Sequence, residues 1–517
     1  MSSGEVSTLV TSLAELCQFL ARQNCRAYIV GGFIRDHLLD KETSDIDIAV
    51  DTNALYIADG LAKELGGKFV LLDEANGIAR VIIDGGQQQG SPQNQEFHRA
   101  AWHFDFSSFS GGIESDLARR DFTVNAMAIE LNQLDTIALT LNKVQERQKL
   151  IDPFSGREDL GNKIVRAVNE QIFEADAVRL LRAVRLAAEL HFTIEPKTEE
   201  LIHRYSQFII KVPGERLREE LLRLFSLPHT SRYLRYLDKL GLLLALIPEL
   251  RESKGVEQPK EHFWDVFNHS LETVAAVEFL IRESDWEYGS EDILTPVPWS
   301  DIIDQHLCQE VSSGSNRKAL LKLGGLLHDI AKPRTKFVDN SGRTRFLGHT
   351  KEGAATAASI LERLRFSHRE INLVESLVYH HLRPVQMTNE ELPTQRAIYR
   401  YFRDTGDAGI DVLFLALADY LATQGPSVTI EEWQGHCRLI NYILTEHGKQ
   451  QVRVLPSKLV DGHELMKNFG LTPGPLIGEL LTLVHEAQAE GEVSAKEEAL
   501  ALVRKELDKR YNMRSVN

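Results

Sequence analysis

Cysteine is scarce in this chain: four in 517 residues, at positions 17, 25, 308 and 437, with no two in CxxC spacing. That scarcity excludes a disulfide framework and a thiolate zinc site, and it suits a reducing compartment. Long apolar runs are missing as well. The longest, such as 241–250 and 412–422, reach about ten residues and contain Pro or Asp, half of what a bilayer span needs. No basic stretch followed by an apolar one opens the sequence, so no secretory leader or membrane partner is expected, and the expected location is cytoplasmic. Basic residues are in deficit, 59 Lys and Arg against 75 Asp and Glu, a formal charge of −16. A polyanionic partner must therefore be met by a local basic patch, because the protein as a whole would repel it.

Hydrophobic residues at 43% and charged residues at 26% are ordinary for a globular protein. At roughly 150 residues per domain, the length argues for about three or four domains. To about residue 130 the chain alternates helical and strand patterns, with strands expected at 27–30, 46–50, 68–72, 79–83 and 102–106 and helices at 7–23 and 54–65. The Gln- and Gly-rich stretch 85–95 reads as a solvated loop. After Ile151-Asp152-Pro153 the pattern is helical almost without interruption. Within it, 251–260 reads as a linker and 283–316, acidic and Ser-rich, as an inserted loop, with a last helical segment over 457–509. No internal repeat is visible. The fold class expected is α+β, a small mixed-sheet head followed by a long all-helical body.

The densest chemistry lies in Gly31-Gly32-Phe33-Ile34-Arg35-Asp36 followed by Asp45-Ile46-Asp47. Two glycines between a strand and a helix let the backbone approach a ligand, and the helix start offers N–H groups to phosphate oxygens. Arg35, one turn into that helix, can add a charge-assisted bond. Asp45 and Asp47 stand two apart on a strand, so both side chains point to one face. Paired carboxylates suit Mg²⁺ completed by substrate phosphates, or two such ions for in-line displacement.

These residues, with Arg119-Arg120-Asp121-Phe122-Thr123-Val124-Asn125, then Ile151 to Gly156, Asp176 to Arg185 and Glu215 to Leu221, resemble the class II tRNA nucleotidyltransferase and bacterial poly(A) polymerase family of the DNA polymerase beta-like superfamily. The resemblance covers about residues 27–225. It implies transfer of a nucleoside monophosphate from CTP or ATP to an RNA 3′ hydroxyl, with pyrophosphate released. Asp45 and Asp47 would bind Mg²⁺. Asp105 is either a third carboxylate beside them or a solvated strand residue. Arg119 and Arg120 are expected to open a helix and reach the triphosphate; Asn125 recognises the sugar or caps locally.

Arg179, Arg182 and Arg185 fall at i, i+3 and i+6, so they are expected to form one basic stripe on a helix, with Asp176 three residues before Arg179 on the same side. The bland reading is an i, i+3 ion pair. The resemblance implies that Asp176 and Arg179 serve instead as a protein template for the incoming base. The family usually has Glu immediately before this Asp; here the position is Ala175, and Glu174 lies one place earlier. The positioning of Arg179, and with it the handling of both bases or one, is put in question.

Further on, His269, His328-Asp329, His349, His380-His381 and Asp419 follow the order of the HD phosphohydrolase superfamily. Imidazoles and carboxylates are natural ligands of a divalent transition metal such as Ni, Co or Mn. His269, His328, Asp329 and Asp419 are the expected ligands, and His463 is expected to be structural. The domains expected are a head over 1–150, a base- and RNA-binding helical region over 151–250, an HD domain over 262–425 and a helical tail over 450–517. The activity expected is template-independent CCA addition and repair of tRNA. The alternatives are an A-adding or CC-adding partial enzyme, a poly(A) polymerase, or, in another class, a metal-dependent phosphohydrolase with an RNA-binding head.

Overall fold

The computed structural model describes residues 3–41, 43–74, 76–83, 102–131, 150–387, 392–452, 459–490 and 492–514. The expected loop at 85–95 lies outside them. The chain forms two compact units, 1–212 with 240–245, and 213–239 with 246–517. The helices 214–225 and 230–239 thus group with the second unit, whereas the sequence reading placed them with the base-binding region.

In the first unit, helix α1 (Ser3–Arg22) leads into strand β1 (Ala27–Val30), helix α2 (Gly32–Leu38), strand β2 (Asp45–Val50) and helix α3 (Ala54–Leu65). Strands β3 (Lys68–Asp73), β4 (Ile78–Ile83), β5 (Trp102–Ser108) and β6 (Ala128–Glu130) complete a six-stranded sheet in the order β3-β4-β5-β2-β1-β6. The pair β2–β5 is parallel and the others antiparallel, so the sheet is mixed as expected. Its period of two sorts the side chains. Ile46, Ile48, Phe104, Phe106, Ala79 and Val81 are buried on one face; Asp45, Asp47, Asp105 and Arg80 alternate with them on the other. Each buried Phe or Ile contributes roughly 1.5–3 kcal/mol. Helix α3 starts where Asn53 accepts the Tyr56 N–H and stops at Gly66 in the left-handed conformation.

Past the sheet, helix α4 (Ile113–Ala118) ends immediately before Arg119, whose N–H closes its last turn. Arg119 and Arg120 therefore follow a helix rather than open one. A single 3-10 turn, Thr123–Asn125, comes next. The segment around Asp176 is likewise not one helix. A short turn, α5 (Ile172–Ala175), ends at Asp176 in extended conformation, and helix α6 (Val178–Leu190) starts afresh.

The second unit is helical, with two two-stranded ladders, 310–312 with 315–316 and 336–338 with 344–346. Its HD portion is built from α7 (Val266–Leu280), α8 (Arg317–Leu327), α9 (His349–Arg363), α10 (His368–His380), α11 (Gln395–Thr405) and α12 (Gly409–Gln424). Residues 251–260 are not a free linker. A 3-10 turn covers Pro248–Ser253, Lys332 donates to Gln258 Oε1 and Lys336 to the Glu257 carbonyl. Nor is 283–316 a loop: it holds helices Glu291–Leu294 and Asp301–Cys308, pinned by buried Trp286, Ile293, Val297, Ile303 and Leu307. These apolar anchors are spaced too irregularly in an acidic background to register as a periodic pattern. The tail packs Leu465, Leu480, Val484 and Val503 around α13 (Gly462–Phe469) and α14 (Pro475–Glu490). Among the described residues no helix is long and apolar enough to cross a membrane.

Candidate functional site

Strand pairing sets Val30 of β1 against Asp47, and Asp47 against Asp105. The carboxylates that the sequence placed on one face thus meet the turn that follows β1. Gly31 caps α2 at φ 74°, ψ −140°. A Cβ there would fall 2.5 Å from Asp47 Oδ2 and 2.9 Å from an Arg120 guanidinium nitrogen, so a side chain would be strained at this φ and would displace both groups. Gly32 has more room, and its N–H donates to Asp47.

Two of the three carboxylates face a cation and the third an imidazole. Asp45 Oδ1 lies 2.8 Å from His103 Nδ1. Arg80 grips Asp105 in a fork of two 2.7 Å bonds. Asp47 is faced by Arg120. Burial raises the Asp47 carboxyl above its usual range; Asp105 and Asp45 push the same way against Arg120 and the Gly32 N–H. A carboxylate crowded by two others has the electrostatic character of a divalent-cation ligand, so the residues present fit Mg²⁺.

Around this patch runs a polar relay. Arg35 forks onto Asp36 at 2.8 Å through Nε and Nη2 and donates from Nη1 to Asn125 Oδ1 at 2.7 Å. These bonds leave two of its five N–H groups. Asn125 Nδ2 donates to Asp121 Oδ1 at 3.0 Å, and Arg182 reaches Asp121 Oδ2 at 3.3 Å. Burial works to raise the Asp121 carboxyl, but Arg182, Asn125 and the Phe122 N–H hold it below the ordinary range. Buried Asp116 binds both Arg119 and Arg120; the sequence reading passed it over, although its spacing of three and four residues from them is a signal that could have found it. Arg119 itself stays exposed.

At the base-reading positions the structure separates what spacing alone had merged. Asp176 Oδ1 accepts the Val178 N–H at 3.3 Å, and Arg179 Nε stands 4.0 Å from Asp176 Oδ2. Arg179 is also braced by backbone carbonyls, Arg119 O at 2.9 Å and Ile172 O at 3.4 Å. Glu174 accepts the Tyr205 hydroxyl instead of substituting for the Glu absent at 175. Arg185 is buried and paired with Glu189, and Arg182 serves Asp121, so the three arginines do not form a solvated stripe.

In the second unit the histidines converge. His269 Nε2 lies 3.0 Å from Asp419 Oδ1, 3.1 Å from His328 Nε2 and 3.4 Å from Asp329 Oδ2. The structure adds His349 and His381 to the four expected ligands, 3.5 and 3.8 Å from Asp329 Oδ1. Overlapping trios of these six residues converge closely enough to hold an ion. His328, His349 and His381 each turn Nδ1 onto the carbonyl three residues back, at 2.8, 2.6 and 2.8 Å. Since a carbonyl only accepts, Nδ1 donates there and Nε2 is the ring nitrogen turned toward the cluster. Lys332 Nζ, 2.6 Å from Asp329 Oδ2, is a neighbour the sequence reading did not single out. His380 turns away against Tyr379 and lines a cavity of about 400 Å³ that reaches His349. His463 is exposed on α13, outside the cluster.

Comparison with known proteins agrees with this geometry. Residues 27–166 match the poly A polymerase head domain, 191–254 the probable RNA and SrmB-binding site of polymerase A, and 266–424 the HD domain. The chain is 32% identical to the A-adding tRNA nucleotidyltransferase of Deinococcus radiodurans, over 93% of this chain and 95% of that one. It is 31% identical to the CC-adding tRNA nucleotidyltransferase of Thermus thermophilus, over 92% and 93%. Its fold is similar to that of the Thermotoga maritima CCA-adding enzyme complexed with tRNA, with a TM-score of 0.57, 23% identity and coverage of 97% and 98%.

Proposed function

Because the chain belongs to the class II tRNA nucleotidyltransferase and bacterial poly(A) polymerase family with a C-terminal HD domain, we propose that it transfers CMP or AMP from CTP or ATP to the 3′ hydroxyl of tRNA. The observation that carries this reading is the row of Asp45, Asp47 and Asp105 beside the Gly31–Gly32 turn. In the reaction the 3′ oxygen bonds to the α-phosphorus, the bond to the β-phosphate bridge breaks, and pyrophosphate leaves.

Asp45 and Asp47 would hold Mg²⁺, which when bound supplies charge neutralisation for the pyrophosphate and a more acidic 3′ hydroxyl. The chain's own groups do the rest. The side-chain-free Gly31 admits phosphate close to the backbone, and Arg35 and exposed Arg119 orient the triphosphate by charge-assisted bonds. Asp121, held by Arg182, fixes Asn125 beside the sugar. Asp176 accepts from the exocyclic amine of cytosine or adenine, while Arg179 donates to the neighbouring ring acceptor. Guanine and uracil present the wrong groups.

The HD cluster would hold a transition metal, Ni, Co or Mn, through His269, His328, Asp329 and Asp419 with His349 and His381, and serve a phosphohydrolase reaction. A cytoplasmic location suits the four free cysteines. A second reading, a partial enzyme that adds only A or only CC, is favoured by the relatives named for single steps. The test is incubation with tRNAs ending before CCA, before the final A, or complete, with labelled CTP or ATP. CMP entering the shortest tRNA and AMP following it is the full activity; either step alone is the partial one. Long A tails on unrelated RNA would overturn the tRNA assignment.

A further inference from the structure

Arg80, Asp105 and Asp47 stand in one row across three adjacent strands: Arg80 pairs with Asp105 between β4 and β5, and Asp105 with Asp47 between β5 and β2. All three project from the face opposite the buried Ala79, Phe104, Phe106, Ile46 and Ile48. Arg80 Nε and Nη2 each take a different oxygen of Asp105, at 2.7 Å. Such a fork fixes the plane of the carboxylate, whose oxygens keep further lone pairs. Both partners are largely covered, with side chains 30% and 20% exposed. Three carboxylates sharing a face repel one another, and Arg80 sits at the end of that row, where a cation offsets the repulsion without covering Asp45 or Asp47.

We propose that Arg80 is a positioning residue of the transfer site: it orients Asp105 as a third metal-facing carboxylate and is the counter-ion with which a bound divalent cation shares that carboxylate. This rests on the transferase reading above. A counter-ion opposes the metal electrostatically while its fork aligns the ligand. Removing the charge and removing the fork therefore have different consequences, which an ordinary cross-strand ion pair would not produce.

The experiment uses the full-length protein, with Mn²⁺ binding followed by electron paramagnetic resonance. Binding at the head is counted as that lost in an Asp45→Ala, Asp47→Ala double variant. Arg80→Gln is expected to bind Mn²⁺ about tenfold more tightly at the head, while its kcat falls about tenfold with KM for CTP or ATP unchanged. Arg80→Lys, which keeps the charge but not the fork, is expected to bind Mn²⁺ like the wild type and to lose kcat to a similar extent. Thermal melting confirms that both variants fold. Mn²⁺ affinity in Arg80→Gln equal to or weaker than wild type, or kcat within twofold in both variants, would overturn the proposal. Absence of transfer by the wild-type protein would instead defeat the transferase reading, and the Mn²⁺ titration would still judge Arg80.

Discussion

Arg35 Nη1 donates to Asn125 Oδ1 at 2.7 Å, joining the helix that follows the double glycine to a 3-10 turn ninety residues later in the chain. Through Asn125 and Asp121 the same relay reaches Arg182 on α6. A base bound near α6 and a triphosphate bound near α2 would thus be held by one connected set of side chains.

Asn125→Ala should break that relay. Loss of a hydrogen bond to a charged group costs about 1.5–3 kcal/mol, so transfer should fall roughly tenfold to a hundredfold. Steady-state incorporation measured beside thermal melting checks this; an unchanged rate would make the contact purely structural.

The two glycines should behave differently. In Gly31→Ala the new methyl meets Asp47 and Arg120 at a positive φ, so both transfer and melting temperature should drop. In Gly32→Ala the methyl stands 3.5 Å from Arg35, an ordinary contact, and the melting temperature should stay at the wild-type value. Equal melting of the two variants would refute the steric argument.

His328→Ala and Asp329→Ala should each abolish metal retention by the HD cluster, since both belong to the converging trios. CMP and AMP transfer should persist, because its groups lie in the other compact unit. Elemental analysis after reconstitution with nickel, cobalt or manganese reads the first effect and the incorporation assay the second.

How much of this was legible in the sequence depends on the range of the interaction. The Asp-Ile-Asp strand and its neighbour could be read because period two and apolar runs are local signals, and α3 was found over 54–65 because its amphipathic spacing is local too. Apolar spacing over 177–190 likewise marked α6, but Asp176 was counted on the face of that helix, and its extended backbone left no sign between Ala175 and Ala177. The counter-ion Arg80 was equally invisible, since a cross-strand pair leaves no mark on the residues beside it; Asp116 and Lys332, which pair three or four residues away, stood at a legible spacing and were passed over.

Acid should loosen the tail. Glu486 on α14 binds Arg396, Arg400 and Arg403 of α11, and its carboxyl, through Arg400 above all and then Arg396, is brought down to about 2. A carboxyl depressed in the folded state stabilises above its unfolded value, near 4.5, and loses that contribution as pH falls toward about 2. Glu486→Gln should therefore melt several degrees below the wild type at neutral pH, with the gap closing between pH 4.5 and 2. A gap independent of pH would show that packing, not charge, is what the substitution disturbs.

The three Nδ1 bonds from His328, His349 and His381 are each made to a carbonyl only three residues earlier. The direction in which each imidazole presents its free nitrogen is therefore a property of one short peptide, inherited with that turn. A designer could carry such a segment into another helical scaffold and expect the ring to arrive already aimed, leaving only the placement of the turns to be solved.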